Sequence, residues 1–195
     1  MSSRVAAYFQ EPIEFSTGGA TTRVPFVQFL SSITASGKTL ILAETVALIT
    51  KQLPVPPVVL WLSKATVVVE QSFANLDSGG PYNELLQGAE VRFLSDLDDS
   101  DLKNSDAAFL FFATVGTFNR QDREKGLKVF RSNLDETESA IWDQLKMRES
   151  SGGYRRPLIV VYDEAHNLSD QQTELLLELE PVARGVSLGA PPDAF

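Results

Sequence analysis

Ser32-Ile33-Thr34-Ala35-Ser36-Gly37-Lys38-Thr39 is the stretch on which the reading of this chain turns. An apolar run, Val24 to Leu30, leads into it, and an apolar helical pattern from Thr39 to about Gln52 follows. A strand, a loop of small residues ending Gly-Lys-Thr and a helix form the context in which such a loop cradles phosphate. Small residues let backbone N–H groups turn inward on phosphate oxygens, and the helix presents its positive N-terminus. Thr34, Ala35, Ser36 and Gly37 supply that cradle. Lys38 then reaches the β and γ phosphates of a nucleotide, and the Thr39 hydroxyl ligates Mg²⁺. Ser32 stands where the pattern has its first glycine. A chance Gly-Lys-Thr at a helix start is the competing reading, and a second stretch weighs against it.

That second stretch is Leu158-Ile159-Val160-Val161-Tyr162 followed by Asp163-Glu164-Ala165-His166. An apolar strand ending in two carboxylates suits magnesium-nucleotide chemistry, because ligands of a parallel α/β sheet sit at the carboxyl ends of the strands. Asp163 can hold the Mg²⁺ shell through water, and Glu164 can orient and deprotonate an attacking water. His166 is the only histidine and the chain has no cysteine, so a zinc site has no ligand set. Beside Asp-Glu-Ala, a role for His166 linking the nucleotide to neighbouring loops fits better.

The totals bound the rest. The 195 residues suffice for one α/β domain with a core, and 43% apolar content is ordinary for a soluble protein. No apolar run approaches a membrane span, and the N-terminus lacks a charged start followed by an apolar block. The absence of cysteine excludes disulfides and makes the cytoplasm the simplest location. A net charge of −9 argues against general affinity for nucleic acid, though not against a local basic face.

Residues 1–23, polar and rich in Ser, Thr and Gly, are expected to be an irregular lead-in. Strands are expected at Val24–Ile33, Val58–Leu62, Ala107–Ala113 and Leu158–Tyr162, with a shorter one at Glu90–Leu94. Helices are expected at Thr39–Leu53, Ala65–Leu76 and Gln171–Glu180, and a turn at Asp77–Pro81. The acids between Asp96 and Asp106 suit a solvated loop. Residues 119–156 carry nine of the 17 basic residues against seven acids, which fits a charged helical insert. A solvated face and a nucleic-acid surface both remain open for it. Strands alternating with helices predict a three-layer α/β/α domain around a mostly parallel sheet.

Gly37-Lys38-Thr39 together with Asp163-Glu164-Ala165-His166 resembles motifs I and II of the superfamily-two helicases of the DEAD/DEAH class. Trp61-Leu62-Ser63-Lys64 followed by Val69-Glu70-Gln71 resembles motif Ia, whose loop touches the nucleic-acid backbone. Ala113-Thr114-Val115-Gly116-Thr117-Phe118-Asn119 resembles the following Thr-Phe-Asn segment, best known from the restriction-subunit (type III Res) branch. The resemblance covers about residues 24–180 and implies an N-terminal, RecA-like P-loop NTPase domain that binds ATP and Mg²⁺. It implies Glu164 and Lys38 as catalytic groups and Ser63, Lys64, Thr114, Thr117 and Asn119 as candidates for contact with nucleic acid. The implied partners are nucleic acid, DNA in preference to RNA, a second RecA-like domain in cis or in trans, and a nuclease or modification subunit.

Two features depart from the family pattern. Where Ser-Ala-Thr is expected after motif II, the chain has Val186-Ser187-Leu188-Gly189-Ala190-Pro191-Pro192. Residues 181–195 therefore stand as an atypical tail, and the second RecA-like domain is expected to be absent from this chain. Two other functions stay open: a nucleotide-binding module without motor activity, and a different P-loop enzyme such as a kinase. Asp-Glu-Ala-His suits water as nucleophile better than a substrate hydroxyl, which disfavours the kinase.

Overall fold

The computed structural model describes residues 2–17, 20–31, 37–98, 101–104, 106–118, 129, 140–164, 168–179 and 183–188. Three continuous apolar runs make the centre of a six-stranded sheet. They are β4 (Val58–Ser63), β6 (Ala108–Thr114) and β7 (Leu158–Tyr162). With β3 (Phe26–Ser31), β5 (Ala89–Phe93) and β8 (Ala183–Leu188) they run in the order β3-β8-β7-β4-β6-β5, every pairing parallel. A parallel sheet covered on both faces needs apolar residues at consecutive positions, as these runs have.

Alternation along the strands divides the core in two. Leu60, Leu62, Phe109, Phe111, Leu158 and Val160 point to one face. There they meet Trp142 and Leu145 of α5 (Ile141–Met147) and Leu176 of α6 (Asp170–Leu177). Val59, Trp61, Leu110, Phe112, Ile159 and Val161 point to the other face. There they meet α2 (Lys38–Thr50), through Leu42, Ala43, Val46 and Ile49, and α3 (Thr66–Leu76), through Val69 and Leu76. The result is the expected three-layer α/β/α domain. Within α2, Leu42 is buried and Leu40 is exposed.

The turn between α3 and β5 is built around Gly80. Its N–H donates to the Asp77 carbonyl, 2.8 Å, and Tyr82 N–H donates to the Asn75 carbonyl, 2.9 Å. A Cβ at Gly80 would collide with the Ala74 and Asn75 carbonyls. Gly80→Ala should therefore destabilise the fold by about 1–3 kcal/mol, the usual cost of overpacking. A urea titration should show a lower midpoint at unchanged slope; an unchanged midpoint would mean the turn yields freely.

Three expectations are corrected. Residues 1–23 are not an irregular lead-in. They contain α1 (Ser2–Gln10) and a hairpin of β1 (Glu14–Thr17) and β2 (Ala20–Arg23), closed by an Arg23–Glu14 ion pair at 3.1 Å. Val5 and Tyr8, one helical turn apart, supply the buried side of α1; Val5 joins the α2 layer, and the Tyr8 hydroxyl donates to the Val24 carbonyl. The stretch from Pro181 is not simply a tail, because Ala183–Leu188 is an interior strand between β3 and β7.

The third correction concerns the basic segment. Its Arg120, Arg123, Lys125, Lys128 and Arg131 lie outside the described residues. Lys146 and Arg155 are exposed, but Arg148 and Arg156 are buried. Arg148 Nε donates to the Arg156 carbonyl, 2.8 Å, and Nη1 donates to the Leu145 and Leu179 carbonyls, 2.8 and 2.9 Å. Arg156 Nη1 and Nη2 donate to the Ala107 and Leu102 carbonyls, 2.6 and 3.0 Å, above the Phe109 ring. These two guanidiniums satisfy carbonyls at the ends of several elements and are not part of a charged surface.

Candidate functional site

The order of the sheet brings the two decisive stretches together. β3, which leads to the Gly-Lys-Thr helix, lies one strand from β7, with β8 between them. At their carboxyl ends the side chains that follow the alternation come out on the α2 face. Asp163 continues Ile159 and Val161, Ser63 continues Val59 and Trp61, and Thr114 continues Leu110 and Phe112. Register sets them at one level: Ser63 pairs with Thr114, and Leu62 pairs with Tyr162, the residue before Asp163. The Asp163 N–H donates to the Leu62 carbonyl, 2.8 Å, prolonging the ladder by one rung.

Gly37 is the residue before α2, at φ 75 and ψ 30. That left-handed conformation favours glycine, although a Cβ there would meet nothing within 4 Å. No side chain caps the helix, and its first turn carries no acid. Its leading N–H groups and positive end are thus left for an anion. Lys38 and Thr39, both half-buried, occupy this first turn.

Asp163 is 7% exposed. Burial pushes its carboxyl above the ordinary carboxylate value, and the Glu164 carboxylate adds to the rise. The Lys38 ammonium and a hydrogen bond from the Glu164 backbone pull the other way. Lys38 and Asp163, 125 positions apart, therefore share one electrostatic environment. Glu164 is partly exposed and stands at φ 62, a conformation in which a non-glycine residue is uncommon. It directly follows Asp163, the first residue past β7. Downstream, Ser169 and Gln172 form a reciprocal cap that starts α6.

The remaining candidates divide by exposure. Lys64 is exposed just beyond β4. Thr114 and Thr117 are half-buried, their hydroxyls hydrogen-bonded at 3.1 Å. Ser63 is fully buried. Thr34, Ala35, Ser36, Asn119 and His166 lie outside the described residues. Sequence reasoning did not find the left-handed Glu164 or the burial of Ser63; neither has a local signature.

The donor set fits a magnesium nucleotide. A buried acid lies within electrostatic reach of the Lys38 ammonium, which starts α2 next to Thr39. Among the described residues no group of three or more His, Asp or Glu could cage a metal alone, so the ion would rely on phosphate and water for most of its ligands. A cavity of about 330 Å³ lies elsewhere, at the amino ends of β4 and β6 against the C-terminal half of α2. Val46, Pro54, Leu86 and Phe109 are among the residues that line it.

A family model described as the res subunit of type III restriction enzymes matches residues 23–193. No curated protein and no solved structure matches the chain.

Proposed function

The chain belongs to the type III restriction res-subunit family, a family of helicase-type P-loop ATPases, and from that premise we propose a specific role. The domain that contains β3 to β8, residues 24–188, acts as the ATP-binding first motor domain of a DEAH-type helicase or translocase on nucleic acid. The observation that supports this reading is the sheet order, which sets β3 and the Gly-Lys-Thr start of α2 one strand from β7 and Asp163.

In this mechanism the backbone from Thr34 to Gly37 receives the phosphates. Lys38 places its ammonium against the β and γ oxygens, where it offsets charge that grows in the transition state. Thr39 and Asp163 hold the magnesium ion, Asp163 through water. A magnesium ion held there would supply positive charge against the phosphate. Glu164, partly exposed beside Asp163, accepts a proton from the attacking water. His166 links the site to adjoining loops. Lys64, Thr114, Thr117 and Asn119 follow strands that end on the same side of the sheet, which is the proposed track for DNA in preference to RNA. A second RecA-like domain, in cis or in trans, closes the cleft; a nuclease or modification subunit completes a restriction-type assembly. No helix among the described residues is long and apolar enough to cross a membrane.

Lys38→Ala tests the reading. It removes a charge-assisted contact with phosphate and should weaken Mg-ATP binding by about 10–100-fold. A nucleotide titration with unchanged affinity would refute the assignment. One sequence observation keeps a second reading in view: Val186-Ser187-Leu188 stands where Ser-Ala-Thr is expected. A nucleotide-binding module without motor activity would bind ATP and show no ATPase stimulation by nucleic acid.

A further inference from the structure

Ser63 ends β4 with none of its surface exposed, and its hydroxyl has no hydrogen-bond partner. A buried hydroxyl without a partner costs about 1–3 kcal/mol, so its presence asks for a reason. The two side chains on the same rung show what is unusual about it. Thr114, its register partner on β6, is already engaged by Thr117. Asp163, beyond Tyr162 on β7, is a buried carboxylate that accepts a backbone hydrogen bond from Glu164. A carboxylate has room for about four hydrogen bonds. Neighbouring strands lie about 4.8 Å apart, and Ser63 and Asp163 follow the same alternation onto the α2 face. Ser63 therefore stands beside Asp163 on the neighbouring strand, with a donor that makes no bond in this structure.

We infer that Ser63 is a positioning residue for Asp163 and not a contact to nucleic acid. When a magnesium nucleotide is bound, Ser63 Oγ–H donates to the Asp163 carboxylate oxygen turned away from the metal. That bond fixes the carboxylate rotamer, so the other oxygen is aimed at the metal's water shell. The unpartnered hydroxyl is the feature of a site set for a ligand-bound arrangement. The inference rests on the magnesium-nucleotide reading given above.

The test is calorimetric titration of the full chain with AMP-PNP, a non-hydrolysable ATP analogue, once with Mg²⁺ and once with EDTA. The parent defines how much Mg²⁺ tightens binding. Ser63→Ala should reduce that tightening about tenfold, as loss of a hydrogen bond to a charged group predicts, and leave affinity in EDTA unchanged. The thermal midpoint of the ligand-free variant should equal or exceed the parent's, because no existing bond is removed. Ser63→Thr, which keeps the hydroxyl, should retain the tightening within about threefold. Equal Mg²⁺ tightening in Ser63→Ala and parent would overturn the inference, as would an equal loss of affinity with and without Mg²⁺. A parent that binds no AMP-PNP at all would instead bring down the nucleotide reading on which this one depends.

Discussion

Exchange of Glu164 for Gln is expected to slow ATP turnover by about 10²–10⁴-fold, the usual contribution of a general base, while Mg-nucleotide affinity stays within about threefold. The amide preserves the size and backbone preference of the side chain, but it cannot accept the proton of the attacking water. Glu164 lies beyond the end of β7 at a left-handed backbone position and is only partly buried, whereas Asp163 is buried. Its loss therefore leaves Asp163, Lys38 and Thr39 in place to hold the nucleotide. The defect belongs in the rate and not in binding. Single-turnover hydrolysis beside an equilibrium titration separates the two. Hydrolysis at the parent rate would show that another group, or water alone, takes the proton.

The second large effect concerns stability. Arg148→Ala should cost about 3–5 kcal/mol, the range for removing one partner from a buried charged network. Arg148 stands at φ 29 and sends its guanidinium to carbonyls of three separate segments: the end of α5, Leu179 beyond α6, and Arg156 just before β7. Truncation leaves those buried carbonyls without their donor. Arg148→Lys should recover little, because an ammonium cannot reproduce the planar fork that reaches several acceptors at once. Equilibrium urea denaturation gives the measurement. A loss below about 1 kcal/mol would mean that water enters and replaces the guanidinium.

Much of this architecture is legible in the sequence, for a definite reason. β4, β6 and β7 are covered on both faces, and full burial writes itself as uninterrupted apolar residues. The places of Gly37-Lys38-Thr39 at the start of α2 and of Asp163-Glu164 past β7 are legible because each borders a long apolar stretch. β8 is not legible in this way. Ala183-Arg184-Gly185-Val186-Ser187-Leu188 carries an arginine and a glycine, and it is a strand because β3 and β7 pair with it on either side. Those partners are distant in the chain, so no local window contains the cause. Arg148 and Arg156 fail for a related reason. A run of basic residues resembles solvated surface until the carbonyls that will surround two of them are known. Ser63 was assigned to a nucleic-acid loop by resemblance, and register alone reveals that it shares a rung with Asp163. The small N-terminal helix and hairpin were hidden by polar composition, since only Val5 and Tyr8 mark the buried side of α1.

The place of β8 also governs the order in which the molecule can be made. β3 has one neighbour in the sheet, β8, with partners running from Phe26↔Ala183 to Ser31↔Leu188. During synthesis at roughly 5–20 residues per second, β3 leaves the ribosome on the order of ten seconds before the strand that ties it to the rest. β4, β5, β6 and β7 can pair among themselves in that interval; β3 cannot join them. β3 joins the sheet only when β8 slides into the gap. Pairing over such a sequence distance is slow and leaves unpaired strands open to other chains. A nascent chain halted before Ala183 would hold a four-stranded half-sheet that β3 has not yet joined.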